Sequence, residues 1–288
     1  MTNSQLPTAS PAPVAYLDRD EGRIAYEVWG GDTGPLVVMA PGMGDLRSSY
    51  RFLAPALAAA GYRVAAMDLR GHGDSDATFT RYDDVATAGD MLALVAHLAG
   101  PDGSAVLVGS SMSAGSAVWA AAERPSAVSG LVLTGPFVRN GDVSALKAML
   151  FHALISGPWA SVAWRSYLPT LYPGRKPEDF DAQRAALKQS LSRPGHRKAF
   201  VLTTRTSHEP VEARLHQVHS PTLVVMGSAD PDWPDPAEEA AFVAERLAGD
   251  VLMVPGAGHY PHAEYPEVVS PRVLEFLAGV APVSRPHA

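Results

Sequence analysis

The segment from Val106 to Gly115 constrains the fold of this chain more than any other part of its sequence. It starts as a short apolar, β-favouring run, breaks at a glycine and serines, and continues into an alanine-rich helical stretch. This pattern is typical of a strand that turns sharply into a helix and presents a reactive serine. The residue at such a turn has a positive φ, so the residues two positions away on each side must be small. With Ser111 at the turn, those residues are Gly109 and Ser113.

Two other frames place a different serine at the turn. If Ser110 occupied it, Met112 would bring a long side chain against the neighbouring turn. If Ser113 occupied it, the elbow would begin after the strand has already ended. A loop whose serines cap the following helix is a further interpretation of the same residues. The steric argument favours Ser111 as the candidate nucleophile.

Nucleophilic catalysis needs a base to take the serine proton and an acid to orient that base. Residues 221–227 have the pattern of a short buried strand, and Asp230 follows it directly. Residues 251–254 form a second apolar strand pattern, and His259 lies in the glycine-rich turn behind it. Open α/β sheets build their sites at the carboxyl ends of their strands. The order Ser, Asp, His therefore predicts a catalytic triad.

Several nearby residues remain as alternatives or as expected structural groups. Asp232 and Asp142 are alternative acids. His262 is expected to be a solvated turn histidine, and His72, between two glycines, is expected to be structural. Further expectations concern surface histidines without metal-ligand spacing and one local ion pair beside a glycine loop. These residues are His208, His216 and His219 on the surface, and Asp45 with Arg47 as the pair.

The tetrahedral intermediate of acyl transfer needs preorganised hydrogen-bond donors for its negative oxygen. Two backbone N–H groups suit this role. One belongs to Met112, directly after the candidate nucleophile at the start of a helix, and the other to Met43, in a glycine-flanked loop.

Five motifs follow one another along the chain: residues 41–44, residues 68–75, the serine elbow, the turn 227–230 and residues 256–259. In these motifs the chain resembles the α/β-hydrolase fold superfamily, from about residue 23 to residue 277. Its departures are Pro41 where histidine is frequent, Ser110 where histidine is common, and Ser113 where glycine is usual. The resemblance implies a serine hydrolase with a helical cap.

Alternating strand and helix patterns predict an α/β fold, a mostly parallel twisted sheet with helices on both faces. Residues 138–220 interrupt this alternation with helix-like segments near 143–155, 159–168, 177–191 and 196–205. We interpret 138–220 as an inserted helical cap and residues 1–137 with 221–288 as the core. The candidate pocket residues above the serine are Phe137, Met149, Trp159, Trp164 and Tyr167.

Composition excludes several kinds of protein. A net charge of −7 and a pI near 5.8 argue against a nucleic-acid partner. The absence of cysteine excludes disulfides, thiolate metal sites and a cysteine nucleophile, and we expect no metal and no cofactor. Residues 1–13 are expected to be a flexible tail rather than a signal peptide. No apolar run reaches the length of a membrane span, so a cytoplasmic protein is expected.

The sequence therefore predicts hydrolysis of a small-molecule carboxylic ester or lactone, apolar or aromatic, through an acyl-serine. Acyl transfer, lyase chemistry and perhydrolysis would use the same triad. A non-enzymatic ligand receptor with this fold is a further alternative.

Overall fold

The computed structural model describes residues 11–141, 155–157 and 159–283. The eight strands of this part are β1 (Ala15–Arg19), β2 (Gly22–Trp29), β3 (Leu36–Ala40), β4 (Arg63–Met67), β5 (Ala105–Ser110), β6 (Val128–Thr134), β7 (Thr222–Gly227) and β8 (Asp250–Val254). They form one sheet in the order β1-β2-β4-β3-β5-β6-β7-β8. Strand β2 pairs antiparallel with β1 and β4, and all other pairs are parallel. The predicted mostly parallel α/β sheet is confirmed.

Helices cover both faces of this sheet. The helices of the described residues are α1 (Leu53–Ala59), α2 (Asp84–Ala99), α3 (Met112–Glu123), α4 (Ala160–Tyr167), α5 (Phe180–Ser192), α6 (His196–Thr203), α7 (Glu209–Glu212), α8 (Pro236–Leu247), α9 (Pro261–Glu264) and α10 (Pro266–Val280). Two of them begin at aspartates that accept backbone N–H groups of the first turn, Asp83 before α2 and Asp235 before α8. None of the described helices is both long and apolar enough to cross a membrane.

The central strands β3, β5 and β7 are buried at every residue. They read as continuous apolar runs because helices cover both of their faces. Alternate side chains enter opposite cores: Val38 and Leu107 join one hydrophobic cluster, whereas Val37 and Val106 join the other. Because β3, β5, β6, β7 and β8 run parallel, their carboxyl ends lie at the same edge of the sheet. The loops after β3, β5, β7 and β8 meet at this edge.

Between β6 and β7 the described residues form helices α4 to α7. A third hydrophobic cluster joins α4, α5 and α6 to the core, and it includes Leu46, Trp164, Phe200 and Tyr260. Val211 of α7 belongs to the first cluster. The predicted helix 143–155 lies outside the described residues except at its end. The cap limits of 138 and 220 stay a prediction.

The sequence pattern of residues 49–60 predicts a single helix that ends at Gly61, and this prediction is wrong in its first half. A 3₁₀ turn spans Arg47–Tyr50, and α1 begins only at Leu53. The turn is held against the sheet because the Tyr50 hydroxyl donates to the carbonyl of Ala40 and the Arg47 N–H donates to Asp68. These contacts lie far apart in the sequence, so periodicity could not reveal them.

Candidate active site

Ser111 lies between β5 and α3 with φ 55° and ψ −124°, a conformation that an L-residue rarely adopts. A Cβ on Gly109 would lie 2.3 Å from the carbonyl oxygen of Ser113, so only glycine fits there. The sharp strand-to-helix turn predicted from sequence is present, with Ser111 at its apex.

The serines around the elbow do not cap α3. The Ser111 side chain makes no capping hydrogen bond. Ser113 Oγ instead donates to the carbonyl oxygen of Pro41, which ties α3 to the loop after β3. Ser110 Oγ is buried without a partner among the described residues. Two departures from the superfamily pattern, Pro41 and Ser113, therefore contact each other.

The loop after β3, residues 41–45, packs against the elbow. A Cβ on Gly42 would lie 2.9 Å from Ser111 Cβ, which is closer than two such atoms approach in proteins. The loop backbone at Gly42 can therefore pack on Ser111 only because glycine has no side chain. The N–H of Asp45 donates to the carbonyl of Gly42 at 3.2 Å and closes a turn. Gly44 is held on both sides: its N–H donates to His72 Nε2 at 3.2 Å, and its carbonyl accepts from Trp164 Nε1 at 2.8 Å.

The N–H groups of Met43 and Met112 donate to no other group within the described part of the chain. The first N–H groups of a helix have no partner inside that helix, and the helix dipole adds partial positive charge there. Met112 is the first residue of α3, and Met43 lies in the loop that packs against the elbow.

His259 and Asp230 form the second half of the site. Nδ1 of His259 lies 2.8 Å from Asp230 Oδ2, and both residues are buried. Asp230 follows β7 and His259 follows β8, as the sequence predicts. The N–H of His259 donates to the carbonyl of Leu171, at 2.9 Å, so the region between β6 and β7 also holds the histidine turn.

Asp232 is a second carboxylate beside the same imidazole. Its Oδ2 lies 3.5 Å from His259 Nδ1, and its Oδ1 accepts the hydroxyl of Tyr167. Burial alone would lower the pKa of His259, but the negative charges of Asp230 and Asp232 outweigh it and raise that pKa to about 9.

The ligand atoms of Asp230, Asp232 and His259 lie within 4.8 Å of one another, a spacing that a metal ion could use. The Nδ1 atom already bonds to Asp230, and an imidazole so held keeps Nε2 free for proton transfer. Both carboxylates therefore face the Nδ1 side of the imidazole.

Ser111 and His259 lie on either side of the segment after β6. The Ser111 N–H donates to Thr134 at 2.9 Å, and a Cβ on Gly135 would lie 3.0 Å from His259 Nδ1. Phe137 donates its N–H to the Ser111 carbonyl, and its ring centroid is 6.0 Å from that of His259. Within the described residues Ser111 Oγ makes no direct hydrogen bond to His259, a bond that often tightens only with substrate.

The predicted pocket residues differ in their environments. Phe137 contacts both Ser111 and His259. Trp164 donates a hydrogen bond to the carbonyl of Gly44, and Tyr167 donates one to Asp232. Trp159, directly before α4, is 55 % exposed, so its place in the pocket stays a prediction. Met149 lies outside the described residues.

Two histidine predictions are wrong. His262 is buried rather than solvated. It lies in α9, which begins at Pro261, and its ring stacks on Tyr50 with the two ring centroids 5.1 Å apart. Burial lowers the pKa of His262 to about 3. His208 is half-buried, with Nδ1 2.7 Å from a carboxylate oxygen of Asp84. His216 and His219 are exposed, as expected.

The ion pair predicted between Asp45 and Arg47 does not form. Arg47 bonds instead to three other carboxylates, those of Glu27, Asp68 and Asp74. Asp45 keeps one oxygen, Oδ2, buried without a partner among the described residues, and burial raises its pKa to about 6. The spacing of Asp45 and Arg47 in the sequence did not predict the ion pairs of Arg47. The three carboxylates that Arg47 contacts lie 20 to 27 positions away.

Two further residues support the site. His72 is structural, as expected: its Nδ1 lies 2.9 Å from the Arg70 carbonyl oxygen, its Nε2 accepts the Gly44 N–H, and burial lowers its pKa to about 4. Glu264 accepts the N–H of Gly258 at 2.7 Å beside the histidine turn. Burial raises the pKa of Glu264 to about 7. No local sequence pattern marks the contact of His72 with Gly44, which joins residues 28 positions apart.

The fold and the elbow define an α/β hydrolase. A model of the alpha/beta hydrolase family matches residues 37–272, so the chain belongs to this family.

Its relatives include a proline iminopeptidase, PfmaB, from Pestalotiopsis fici, 26 % identical over 92 % of this chain and 99 % of that protein. The 2-(acetamidomethylene)succinate hydrolase of Mesorhizobium japonicum is 28 % identical over 90 % of this chain and 93 % of its own length. The structure of a thermophilic esterase from Thermogutta terrifontis superposes with a TM-score of 0.74 at 25 % identity, covering 95 % of this chain and 100 % of the esterase. All three are named as hydrolytic enzymes.

Proposed function

We propose that the protein is a serine hydrolase that cleaves a small apolar or aromatic carboxylic ester or lactone through an acyl-serine intermediate. The observation that carries this proposal is the elbow serine, Ser111 at φ 55°, on the same sheet edge as the buried His259–Asp230 pair. A nucleophile, a base and an orienting acid are the groups that acyl transfer requires.

In the proposed reaction Ser111 Oγ attacks the carbonyl carbon while His259 Nε2 takes its proton. Asp230 holds Nδ1–H and stabilises the imidazolium. The N–H groups of Met43 and Met112 bind the negative oxygen, and removal of one such donor costs about 3 kcal/mol of transition-state stabilisation. His259 then protonates the leaving alcohol, and water, deprotonated by the same histidine, releases the acid from Ser111.

The proposal predicts covalent labelling by a fluorophosphonate, with the modified peptide mapping to Ser111. Turnover of a panel of p-nitrophenyl esters and lactones of graded size then shows which acyl group the enzyme prefers. The Ser111→Ala variant measures the background rate that does not depend on the serine. Modification of another residue, or equal turnover by Ser111→Ala, would reject the assignment.

A second candidate is amide cleavage next to a substrate amine. Its support is the excess of carboxylates around the site: Asp45 and Asp232 accompany Asp230 near His259, and Asp45 Oδ2 has no partner among the described residues. The relative named proline iminopeptidase is consistent with it. A prolyl arylamide included in the panel separates the two, since turnover of that substrate with none of the esters would favour amide cleavage.

A further inference from the structure

We propose that helix α4 is a positioning element that aligns both halves of the catalytic apparatus, through Trp164 on the loop after β3 and Tyr167 on Asp232. This inference rests on the function proposed above. The two residues are three positions apart, so they lie on one face of the helix, and their ring centroids are 5.8 Å apart. Each donates one hydrogen bond to a different half of the site.

The first contact fixes the loop that carries the Met43 N–H. The indole of Trp164 is buried and lies directly on Gly44: a Cβ there would be 2.5 Å from Nε1. The peptide groups on the two sides of Gly44 bond in different directions, one to His72 in the core and one to Trp164 in α4. Because an oxyanion donor acts only when it is preorganised, loss of the Trp164 bond should loosen Met43.

The second contact fixes the orientation of Asp232. Its side chain is 20 % exposed, so water can compete for its oxygens. The Tyr167 hydroxyl holds Oδ1, which leaves Oδ2 facing His259 Nδ1 at 3.5 Å. Without that hydroxyl the carboxylate can turn towards solvent, and its negative charge then acts less strongly on the imidazole.

No other described helix between β6 and β7 is hydrogen-bonded through its side chains to both residues 41–45 and residues 228–232. Helix α4 therefore couples the position of the region above the sheet to the geometry of the two loops. If the helix moves, both contacts break together.

The acid half is tested with Tyr167→Phe, Asp232→Asn and the double variant, using the pH profile of kcat/KM on an ester that the wild type hydrolyses. We expect Tyr167→Phe to move the acid limb to lower pH by about half a unit and Asp232→Asn to move it further. The double variant should match Asp232→Asn alone, because the hydroxyl acts only through that carboxylate. Tyr16→Phe, an exposed tyrosine on β1, is the matched control and should leave the profile unchanged.

An unchanged limb in Tyr167→Phe, a shift to higher pH, or a shift that persists in the Asp232→Asn background would overturn this half. Fluorophosphonate labelling of wild type and Ser111→Ala is done first. Failure there defeats the proposed function, whereas normal labelling with a flat Tyr167→Phe response defeats only the role of α4.

The oxyanion half is tested with Trp164→Phe, which keeps an aromatic ring and removes the N–H donor. We expect kcat to fall about tenfold, less than the loss of a direct donor would cause, with KM changed less than twofold. Val162→Ala, an exposed position on the same helix, is the control and should keep wild-type kcat. A rise in KM with kcat retained would show a binding role and overturn positioning. If Trp164→Phe does not fold, the Tyr167→Phe series decides the proposal.

Discussion

The nucleophile elbow and the histidine turn are held in place by different kinds of contact. At the elbow, a Cβ on Gly109 would strike the backbone of α3 itself, 2.3 Å from the carbonyl of Ser113. At the histidine turn, a Cβ on Gly258 would lie 2.2 Å from Pro173 Cδ, in the region between β6 and β7. Gly109 is therefore constrained by the strand and helix of the elbow itself, whereas Gly258 is constrained by a distant segment.

This difference separates local from long-range control of one reaction. The strain at Ser111 is stored in a backbone that two buried elements define, so it is present whenever the core is folded. The position of His259 depends also on its bond to Leu171, so it follows the packing of the region above the sheet. We therefore expect a methyl group added at Gly109 to reduce mainly stability, and one added at Gly258 to reduce mainly activity.

The largest effect is expected from Ser111→Ala. Removing the nucleophile of a triad leaves only the weak rate enhancement of the surrounding site. We expect ester turnover to fall at least about a thousandfold, while the thermal melt stays within a few degrees, because alanine removes one oxygen atom. Initial rates and a melt of the same preparation measure both. Turnover near the wild-type rate would remove Ser111 from the mechanism.

The acid is tested by comparing Asp230→Asn with Asp232→Asn. Asp230 lies 2.8 Å from His259 Nδ1 and Asp232 lies 3.5 Å away. We expect the first change to reduce kcat by roughly a hundredfold to ten-thousandfold, since the orienting acid fixes the tautomer. The second should reduce kcat less than about tenfold.

The two aspartates also affect the pH at which the enzyme becomes active, and the direction of that shift can be predicted. The base must be neutral, and both carboxylates raise the pKa of His259, so the acid limb of kcat/KM should lie at alkaline pH. Loss of the Asp232 charge should move that limb to lower pH. A greater loss of kcat in Asp232→Asn than in Asp230→Asn would exchange the two roles.

Two glycine substitutions test the contrast between the regions directly. Gly109→Ala places a methyl group against backbone that cannot move, and we expect a loss of about 3 kcal/mol in the free energy of unfolding. In Gly258→Ala the new methyl group meets Pro173 and also the carbonyl oxygen of Leu171, 2.4 Å away, which accepts the His259 N–H, so the clash falls on the contact that holds the histidine turn. That variant should lose less stability and more activity per folded molecule. Chemical denaturation with active-site titration measures both quantities, and equal behaviour of the two variants would reject the contrast.

The sequence predicted those parts of the site that local geometry determines. The positive φ of Ser111, the small neighbours and the strand ends before Asp230 and His259 follow from short-range sterics and strand patterns. The side-chain partners did not follow. Tyr167 was expected in a pocket and bonds Asp232, because that contact joins residues 65 positions apart. The periodicity of α4 shows which residues are buried, but not which polar atom each one meets.

The smallest expected effect concerns buried neutral histidines and the stability of the region around the site. His262 stacks on Tyr50, and neither ring nitrogen has a partner among the described residues. Burial lowers its pKa to about 3, below the value of about 6.5 in an unfolded chain. Between pH 6.5 and pH 3 the histidine is therefore protonated in the unfolded chain but neutral in the folded protein. The free energy of unfolding falls as pH decreases through this range. Asp45 and Glu264 act in the opposite sense, because their pKa values are raised, so the total melt is not diagnostic.

The difference between wild type and His262→Phe isolates this contribution. The phenylalanine keeps the stacking on Tyr50 and cannot take a proton in either state. The melting temperature of the wild type relative to this variant should fall by a few degrees between pH 7 and pH 5. The exposed His219 supplies the control, since His219→Phe should show a constant offset over the same range. A constant offset for His262→Phe would mean that the ring binds its proton equally in both states, which would require water or a carboxylate to reach it in the folded protein.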